Sequence, residues 1–99
     1  MFGENLRSTF VSSTKSLIGH PCGSAGSMEA LFCALMIDRS FLAPVFNLES
    51  ISKGFNFVSP GPQHLNQKVD LVMNNSFGFG GINTSMLIAR WDGRSHILN

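Results

Sequence analysis

The longest apolar run of the chain predicts a helix from Ala25 to Arg39. Between Met28 and Asp38, only Glu29 and Asp38 are polar. A helix that is apolar on nearly every side is usually buried on several sides rather than laid on a surface. We therefore expect this helix to be buried, although a chain of 99 residues offers little else to cover it.

Shorter runs of β-branched and apolar residues on either side of this helix predict strands. Residues 10–14 indicate a strand entering a loop at 15–24, and the proline in 41–44 restricts that segment to a short edge strand. Residues 47–67 read as irregular. Two further strands are expected at 69–73 and 84–91, both apolar enough to be buried on two faces. The order of strand, helix and two final strands predicts part of a layered α/β fold.

A glycine-rich turn joins the last two predicted strands and does not fit a phosphate-binding loop. A dinucleotide fingerprint would need a third glycine at position 83, which is Asn, and a helix should follow instead of a strand. One interpretation is a hairpin whose glycines allow positive φ. The other starts from Phe77 and Phe79, since large apolar side chains on a turn suit the closing of a pocket or packing on a neighbour.

Lys15 and His20 lie five residues apart, just before the predicted helix. One interpretation gives them no functional role: the lysine lies in solvent and the imidazole is hydrogen-bonded to the backbone. Alternatively, the positive end of the helix dipole favours a neutral imidazole, which can donate a hydrogen bond to a developing oxyanion or accept one from a nucleophile. The sequence alone leaves both interpretations open.

The two cysteines give little support for metal or disulfide chemistry. Cys22 and Cys33 form no CxxC motif, and no histidines stand at ligand spacing, so we expect no metal site. We expect reduced thiols in a cytoplasmic protein. Cys22 is a candidate thiolate nucleophile, but nothing orients the nearby His20 as its base, and Cys33 is expected in the core. His64 and His96 receive no assigned role.

The charge composition excludes some classes of function and indicates that part of the surface of this chain is buried against other polypeptide. The chain has 7 Lys and Arg against 6 Asp and Glu, so it is not expected to bind nucleic acid through a basic face. It contains no run of about 20 apolar residues, so no membrane span is expected. Only 13% of residues are charged, against about 25% in ordinary soluble domains. We therefore expect part of a larger enzyme, or a subunit that buries much of its surface on a partner.

Two motifs resemble those of the β-ketoacyl-acyl-carrier-protein synthases. Residues 13–20 read Ser-Thr-Lys-Ser-Leu-Ile-Gly-His and residues 23–26 read Gly-Ser-Ala-Gly, similar to the lysine–histidine motif of that family. Residues 75–81 read Asn-Ser-Phe-Gly-Phe-Gly-Gly, similar to its late glycine–phenylalanine motif. Residues 42–44 and 73–76 look closer to the type I enzymes than to type II. We assign residues 1–90 to the C-terminal part of a synthase and leave the tail at 91–99 unassigned.

The resemblance implies a fold and a set of site residues. The fold would be thiolase-like, with two similar βαβαβαββ halves, of which this chain matches the end of the second. His20 would be one of two histidines that polarise a thioester carbonyl, and Lys15 would support that site electrostatically. The Phe79 N–H would form half of an oxyanion hole and its ring would gate the acyl pocket. The residues expected at the substrate pocket are Phe77, Gly78 and Gly80.

The resemblance also implies a reaction and partners. The family condenses malonyl-acyl carrier protein with an enzyme-bound acyl chain in a decarboxylating Claisen reaction of fatty-acid synthesis. The phosphopantetheine arm of the carrier protein delivers the substrate, no cofactor is bound to the enzyme, and intact members are homodimers. The expected partners are therefore the acyl carrier protein and the remainder of the synthase, on the same chain or on a second subunit.

This sequence lacks four features of the family pattern. The nucleophilic cysteine, the first catalytic histidine, the threonines that hold phosphopantetheine and the strand through which the family dimerises are all absent. Neither Cys22 nor Cys33 matches the nucleophile in context. We expect the chain alone to be inactive. Three interpretations stay open: a fragment of a condensing enzyme, a non-catalytic remnant that binds a synthase or carrier protein, and one half of a split synthase.

Overall fold

A computed structural model of the protein describes residues 2–93. The helices are α1 (Lys15–Ile18) and α2 (Ala25–Arg39), and the strands are β1 (Phe10–Val11), β2 (Asn56–Phe57), β3 (Leu71–Phe77) and β4 (Asn83–Ala89). Three short 3-10 turns complete the regular structure, at Gly3–Arg7, Cys22–Ser24 and Pro62–His64. The predicted tail lies outside the described residues from position 94 onward.

The helix α2 has the predicted bounds, and its end is defined by a left-handed residue. Ser40 takes φ 54° and its N–H donates to the Met36 carbonyl oxygen, which closes the last turn. The helix buries Ala25, Cys33 and Met36, together with Ile37.

The expectation that α2 is buried on several sides is wrong for the described residues. Leu31 is 59% exposed and Leu35 is 38% exposed. The structure places one layer of strands against the helix, so only one side of it can be covered. The helix α2 therefore has more apolar side chains than the rest of residues 2–93 can cover.

Strands β3 and β4 form an antiparallel hairpin whose register runs from Leu71 opposite Ala89 to Phe77 opposite Asn83. One face of the hairpin packs on the helix. A small core unites Cys33, Met36 and Ala43 with residues of the hairpin and of the segment after α2. The partly buried residues around this core are Phe41, Val72 and Ile88.

Strands β1 and β2 form a separate parallel pair. Next to it, Val58 is the most deeply buried large side chain, with none of its surface exposed. Its N–H donates to the Val11 carbonyl oxygen at 3.0 Å, and its own carbonyl accepts from the Val45 N–H at 2.7 Å. The described strands therefore form two small sheets, and not one continuous sheet.

Several predicted boundaries need correction. The strand expected at 10–14 stops at Val11, because the Ser12 hydroxyl bonds to the Ala43 carbonyl and the chain then turns into α1. The loop expected at 15–24 contains α1 and a 3-10 turn, and the region 47–67 contains β2 and another 3-10 turn. The edge strand expected at 41–44 is reduced to a single bridge between Phe41 and Leu65.

The last two strands lie near their predicted positions but are shifted toward the turn that joins them. The polar residues 74–76 extend β3, because each has a hydrogen-bonding or packing partner across the hairpin. The prediction that both strands are buried on two faces is wrong: along β4 only Ile88 is partly buried, and the other residues are exposed. Within residues 2–93, no helix is long and apolar enough to cross a bilayer.

Candidate functional site

The predicted site residues fall into two groups on different elements. Lys15 begins α1 and His20 lies in the connection from α1 to α2, whereas Phe79 is in the turn between β3 and β4. Among the described residues, no hydrogen bond or ion pair joins the first group to the second. The structure pairs Lys15 with Glu29 near the start of α2. The end of β3, just before the turn, also lies against the start of α2, because a Cβ on Gly26 would stand 3.4 Å from the Ser76 Oγ.

Lys15 forms an ion pair with Glu29 on the second turn of α2. The lysine side chain is 42% exposed, whereas the glutamate is only 15% exposed. The partly covered carboxylate therefore holds the ammonium group against the helix. Sequence reasoning missed Glu29 as a site residue, although it is the one acid within the apolar part of the helix.

The orientation of His20 is defined by a backbone hydrogen bond. The Cys22 N–H donates to the His20 Nδ1 at 3.0 Å. A backbone amide can only donate, so Nδ1 must be the acceptor and carries no proton. The neutral ring therefore holds its proton on Nε2, which is the nitrogen left to donate to another group.

Two residues of the connection between α1 and α2 have positive φ. Gly19 takes φ 73° and Cys22 takes φ 50°. Glycine adopts this region freely, but for a residue with a Cβ it costs about 1–2 kcal/mol. The positive φ of Cys22 occurs in the same turn as the hydrogen bond from its N–H to His20. The imidazole is therefore held by the backbone, next to the exposed Cys22 thiol.

The two thiols differ in their surroundings. Cys33 is buried in α2, and burial raises the pKa of its thiol, with the negative charge of Glu29 adding to the effect. The expectation that Cys33 belongs to the core is confirmed. Cys22 is exposed, and its side chain has no hydrogen-bond partner among the described residues. Within residues 2–93, no group of three potential ligands could hold a metal ion.

The turn between β3 and β4 carries exposed aromatic side chains. Phe79 is completely exposed and Phe77 is 78% exposed. The Gly78 N–H closes the turn by donating to the Ile82 carbonyl oxygen at 2.8 Å. The Phe79 N–H has no partner in the described part of the chain, so it is free to donate. Gly80 takes φ 90°, a conformation that a larger residue would adopt only with strain.

The pocket expected at Phe77, Gly78 and Gly80 stays a prediction. A depression of about 310 Å³ lies between the ends of α2 and β4, where Ile37 and Trp91 form part of its lining. It does not border the glycine–phenylalanine turn. Phe79 is completely exposed, so no part of residues 2–93 encloses its side chain.

Sequence comparison identifies the group of proteins to which these residues belong. The family pattern described as "Beta-ketoacyl synthase, C-terminal domain" matches residues 1–49. The chain is 40% identical over 96 residues to 3-oxoacyl-[acyl-carrier-protein] synthase 1 of Haemophilus influenzae, covering 94% of this chain and 23% of that protein. It is 36% identical over 93 residues to synthase 1 of Escherichia coli, covering 91% of this chain and 22% of that protein.

A relative of the second type is similarly close. The chain is 38% identical over 89 residues to 3-oxoacyl-[acyl-carrier-protein] synthase 2 of Coxiella burnetii, covering 90% of this chain and 22% of that protein. The chain belongs to the β-ketoacyl synthase family and corresponds to its C-terminal part. It spans less than a quarter of the length of these relatives. Because both types match about equally well, the assignment to type I stays a prediction.

Proposed function

We propose that this chain supplies the His20, Lys15 and Phe79 part of a fatty-acid condensing site. The observation that carries the proposal is the hydrogen bond from the Cys22 amide to the His20 Nδ1, at 3.0 Å. It leaves Nε2 as the proton donor, which is the form a group needs to stabilise negative charge on a thioester oxygen.

The reaction proposed for the complete enzyme is a decarboxylating Claisen condensation. The malonyl thioester on the acyl carrier protein loses carbon dioxide, and the electron pair of the broken bond forms an enolate. The His20 Nε2–H donates to the enolate oxygen. The enolate carbon then forms a new bond to the acyl carbonyl carbon, and the tetrahedral intermediate expels the cysteine thiolate of the missing part of the enzyme.

Lys15 and Phe79 have different proposed roles in this reaction. The Lys15 ammonium, held by Glu29, adds positive potential near the developing negative charge. The free N–H of Phe79 donates to the oxyanion of the tetrahedral intermediate, while its exposed ring covers the acyl chain. Phe77, Gly78 and Gly80 would shape the pocket wall around that chain.

Partners follow from the same proposal. The acyl carrier protein presents its phosphopantetheine arm to the site, and no bound cofactor or metal takes part. The nucleophile and the first histidine come from the rest of the synthase, on the same polypeptide or a second one. The two free thiols support the predicted cytoplasmic location.

A chimaera tests the proposal. The sequence of this chain replaces the 96 matched residues of the H. influenzae relative, and condensation is assayed with malonyl- and acyl-carrier protein. We expect the chimaera to be active, His20→Ala to lower the rate roughly 100-fold or more, and Lys15→Met to lower it roughly tenfold or more.

The matched control for the histidine substitution is His64→Ala. His64 lies in a 3-10 turn, its ring packs edge-on against Phe10, and no hydrogen bond or ion pair among the described residues joins it to Lys15, His20 or Phe79. We expect this variant to keep its rate within about twofold. A His20→Ala chimaera that folds and turns over as fast as the His64→Ala chimaera would refute the proposed role of His20.

A further inference from the structure

A close contact between α2 and β3 lies between the two groups of proposed site residues. Gly26 is in the first turn of α2, and a Cβ placed on it would stand 3.4 Å from the Ser76 Oγ and 3.9 Å from the Ser76 Cβ. Both residues are partly buried. Because glycine has no side chain, the helix backbone approaches Ser76 directly, and the space between them has room for one methyl group and no more.

Hydrogen bonds connect Ser76 to the turn that carries Phe79. Ser76 lies opposite Thr84 in the hairpin, and the Thr84 hydroxyl donates to the Ser76 carbonyl oxygen at 3.4 Å. Two residues further along, the Gly78 N–H donates to the Ile82 carbonyl oxygen at 2.8 Å. Phe79 follows directly. A displacement of Ser76 is therefore passed on to the Phe79 N–H through a short, hydrogen-bonded piece of chain.

Hydrogen bonds also connect Gly26 to His20. The Cys22 N–H donates to the His20 Nδ1 at 3.0 Å, and the Ser24 N–H donates to the Pro21 carbonyl oxygen at 3.2 Å. Ser24 immediately precedes α2, so this hydrogen-bonded turn runs directly into the helix turn that contains Gly26. The imidazole and the start of the helix therefore move as one unit, which meets the hairpin at Ser76.

We infer that Gly26 and Ser76 are positioning residues, whose contact sets the distance between the His20 Nε2 and the Phe79 N–H. This inference rests on the proposed function. In the proposed reaction His20 holds the enolate oxygen and Phe79 holds the oxygen of the acyl carbonyl. The new bond forms between the carbons next to these two oxygens, so the distance between the two donors decides whether the carbons meet. A misplacement of about 1 Å can cost on the order of 100-fold in rate.

A series of larger side chains at position 26 of the H. influenzae chimaera tests the inference. Gly26→Ala adds only the Cβ that fits at 3.4 Å, and should keep the rate within about threefold. Gly26→Val adds two methyl groups about 1.5 Å beyond that Cβ, so Ser76 must move. We expect the condensation rate constant of the preformed acyl-enzyme, measured in a single turnover, to fall roughly tenfold or more. A loss of folded protein would lower the amount of acyl-enzyme but not this rate constant.

Three further variants serve as rescue and controls. Ser76→Gly removes both atoms nearest Gly26, and in the Gly26→Val background it should restore the rate constant roughly threefold or more, although glycine weakens a strand. Ser27→Val places the same side chain in the same helix turn at an exposed position, and should keep the rate within about twofold. Ser76→Leu enlarges the contact from the strand side and leaves α2 unchanged, so it should slow condensation and tests the inference where Gly26→Val does not fold.

Different outcomes separate this inference from the proposed function. An inactive parent chimaera, or one that His20→Ala leaves at full rate, would overturn the proposed function and the inference with it. With an active, His20-dependent parent, unchanged rate constants in Gly26→Val and Ser76→Leu would overturn the inference alone. A slow Gly26→Val chimaera that Ser76→Gly does not accelerate would also overturn it, because the loss would then not come from this contact. A slow variant that is rescued would sustain it.

Discussion

The two cysteines differ in reactivity because one is exposed and the other is buried on α2. Burial raises the pKa of the Cys33 thiol, so at a given pH less of it is thiolate, and the thiolate is the reactive species. We expect iodoacetamide at pH 8 to alkylate Cys22 roughly 100-fold faster than Cys33 in the native protein, as followed by peptide mass spectrometry.

Two controls accompany this comparison of alkylation rates: a variant that lacks the exposed thiol, and the unfolded protein. Cys22→Ser should leave a native protein that is nearly inert to the reagent, and unfolding in guanidinium chloride should make Cys33 react like an ordinary thiol. Rapid alkylation of Cys33 in native Cys22→Ser would contradict the placement of this thiol in the core.

The site residues could be found from sequence to different extents. Lys15 and His20 were singled out because a cation and an imidazole precede an apolar helix, and the structure adds the partner of each. Glu29 was missed, because its approach to Lys15 depends on how α1 lies against α2, 14 residues away along the chain. The role of the Cys22 amide could not be predicted either, since it depends on a positive φ at a non-glycine residue.

The end of α2 is joined to the hairpin by one arginine. The Phe41 N–H bonds to the Met36 carbonyl, so the Ile37 carbonyl has no backbone partner in the last turn. The Arg90 guanidinium donates to this carbonyl and to that of Val69, and its Nε contacts Asp70. A cation at a helix C-terminus is favoured by the dipole, and its hydrogen bonds satisfy the exposed carbonyl.

Arg90→Met tests this connection, because methionine keeps much of the apolar stem. We expect it to lower the free energy of unfolding in urea by about 1–2 kcal/mol. Arg39→Met is the control, since Arg39 is exposed and, among residues 2–93, pairs with no acid other than its neighbour Asp38. It should cost less than about 0.5 kcal/mol. Equal costs for both variants would show that Arg90 does not join the helix to the hairpin.

The longest element was predictable from its length and composition. The bounds of α2 were correct because a mostly apolar segment of 15 residues without proline ends at a residue that adopts the left-handed conformation. Short elements were less predictable. The helix α1 has four residues and the strand β2 has two, which is too short to show a helical or strand periodicity of apolar residues. The extent of β3 through Asn74–Asn75–Ser76 depends on cross-strand pairing rather than on the strand propensity of those residues.

At the scale of the whole molecule, the low charge and the exposed apolar surface have one explanation. The sequence indicates burial on both faces of the last two strands and around α2, whereas residues 2–93 cover one side of each. The difference is the surface that another part of a synthase would bury. The prediction of burial fails for residues 2–93, which place a single layer of strands against one side of α2.

We propose that this chain holds the histidine and lysine of a condensing site but lacks its nucleophile. Intact mass spectrometry after incubation with a long-chain acyl-acyl carrier protein tests this most directly. We expect no acyl adduct on the isolated chain, whereas the chimaera should carry one acyl group on a cysteine of the H. influenzae portion. A hydroxylamine-sensitive acyl thioester on Cys22 or Cys33 of the isolated chain would contradict the account.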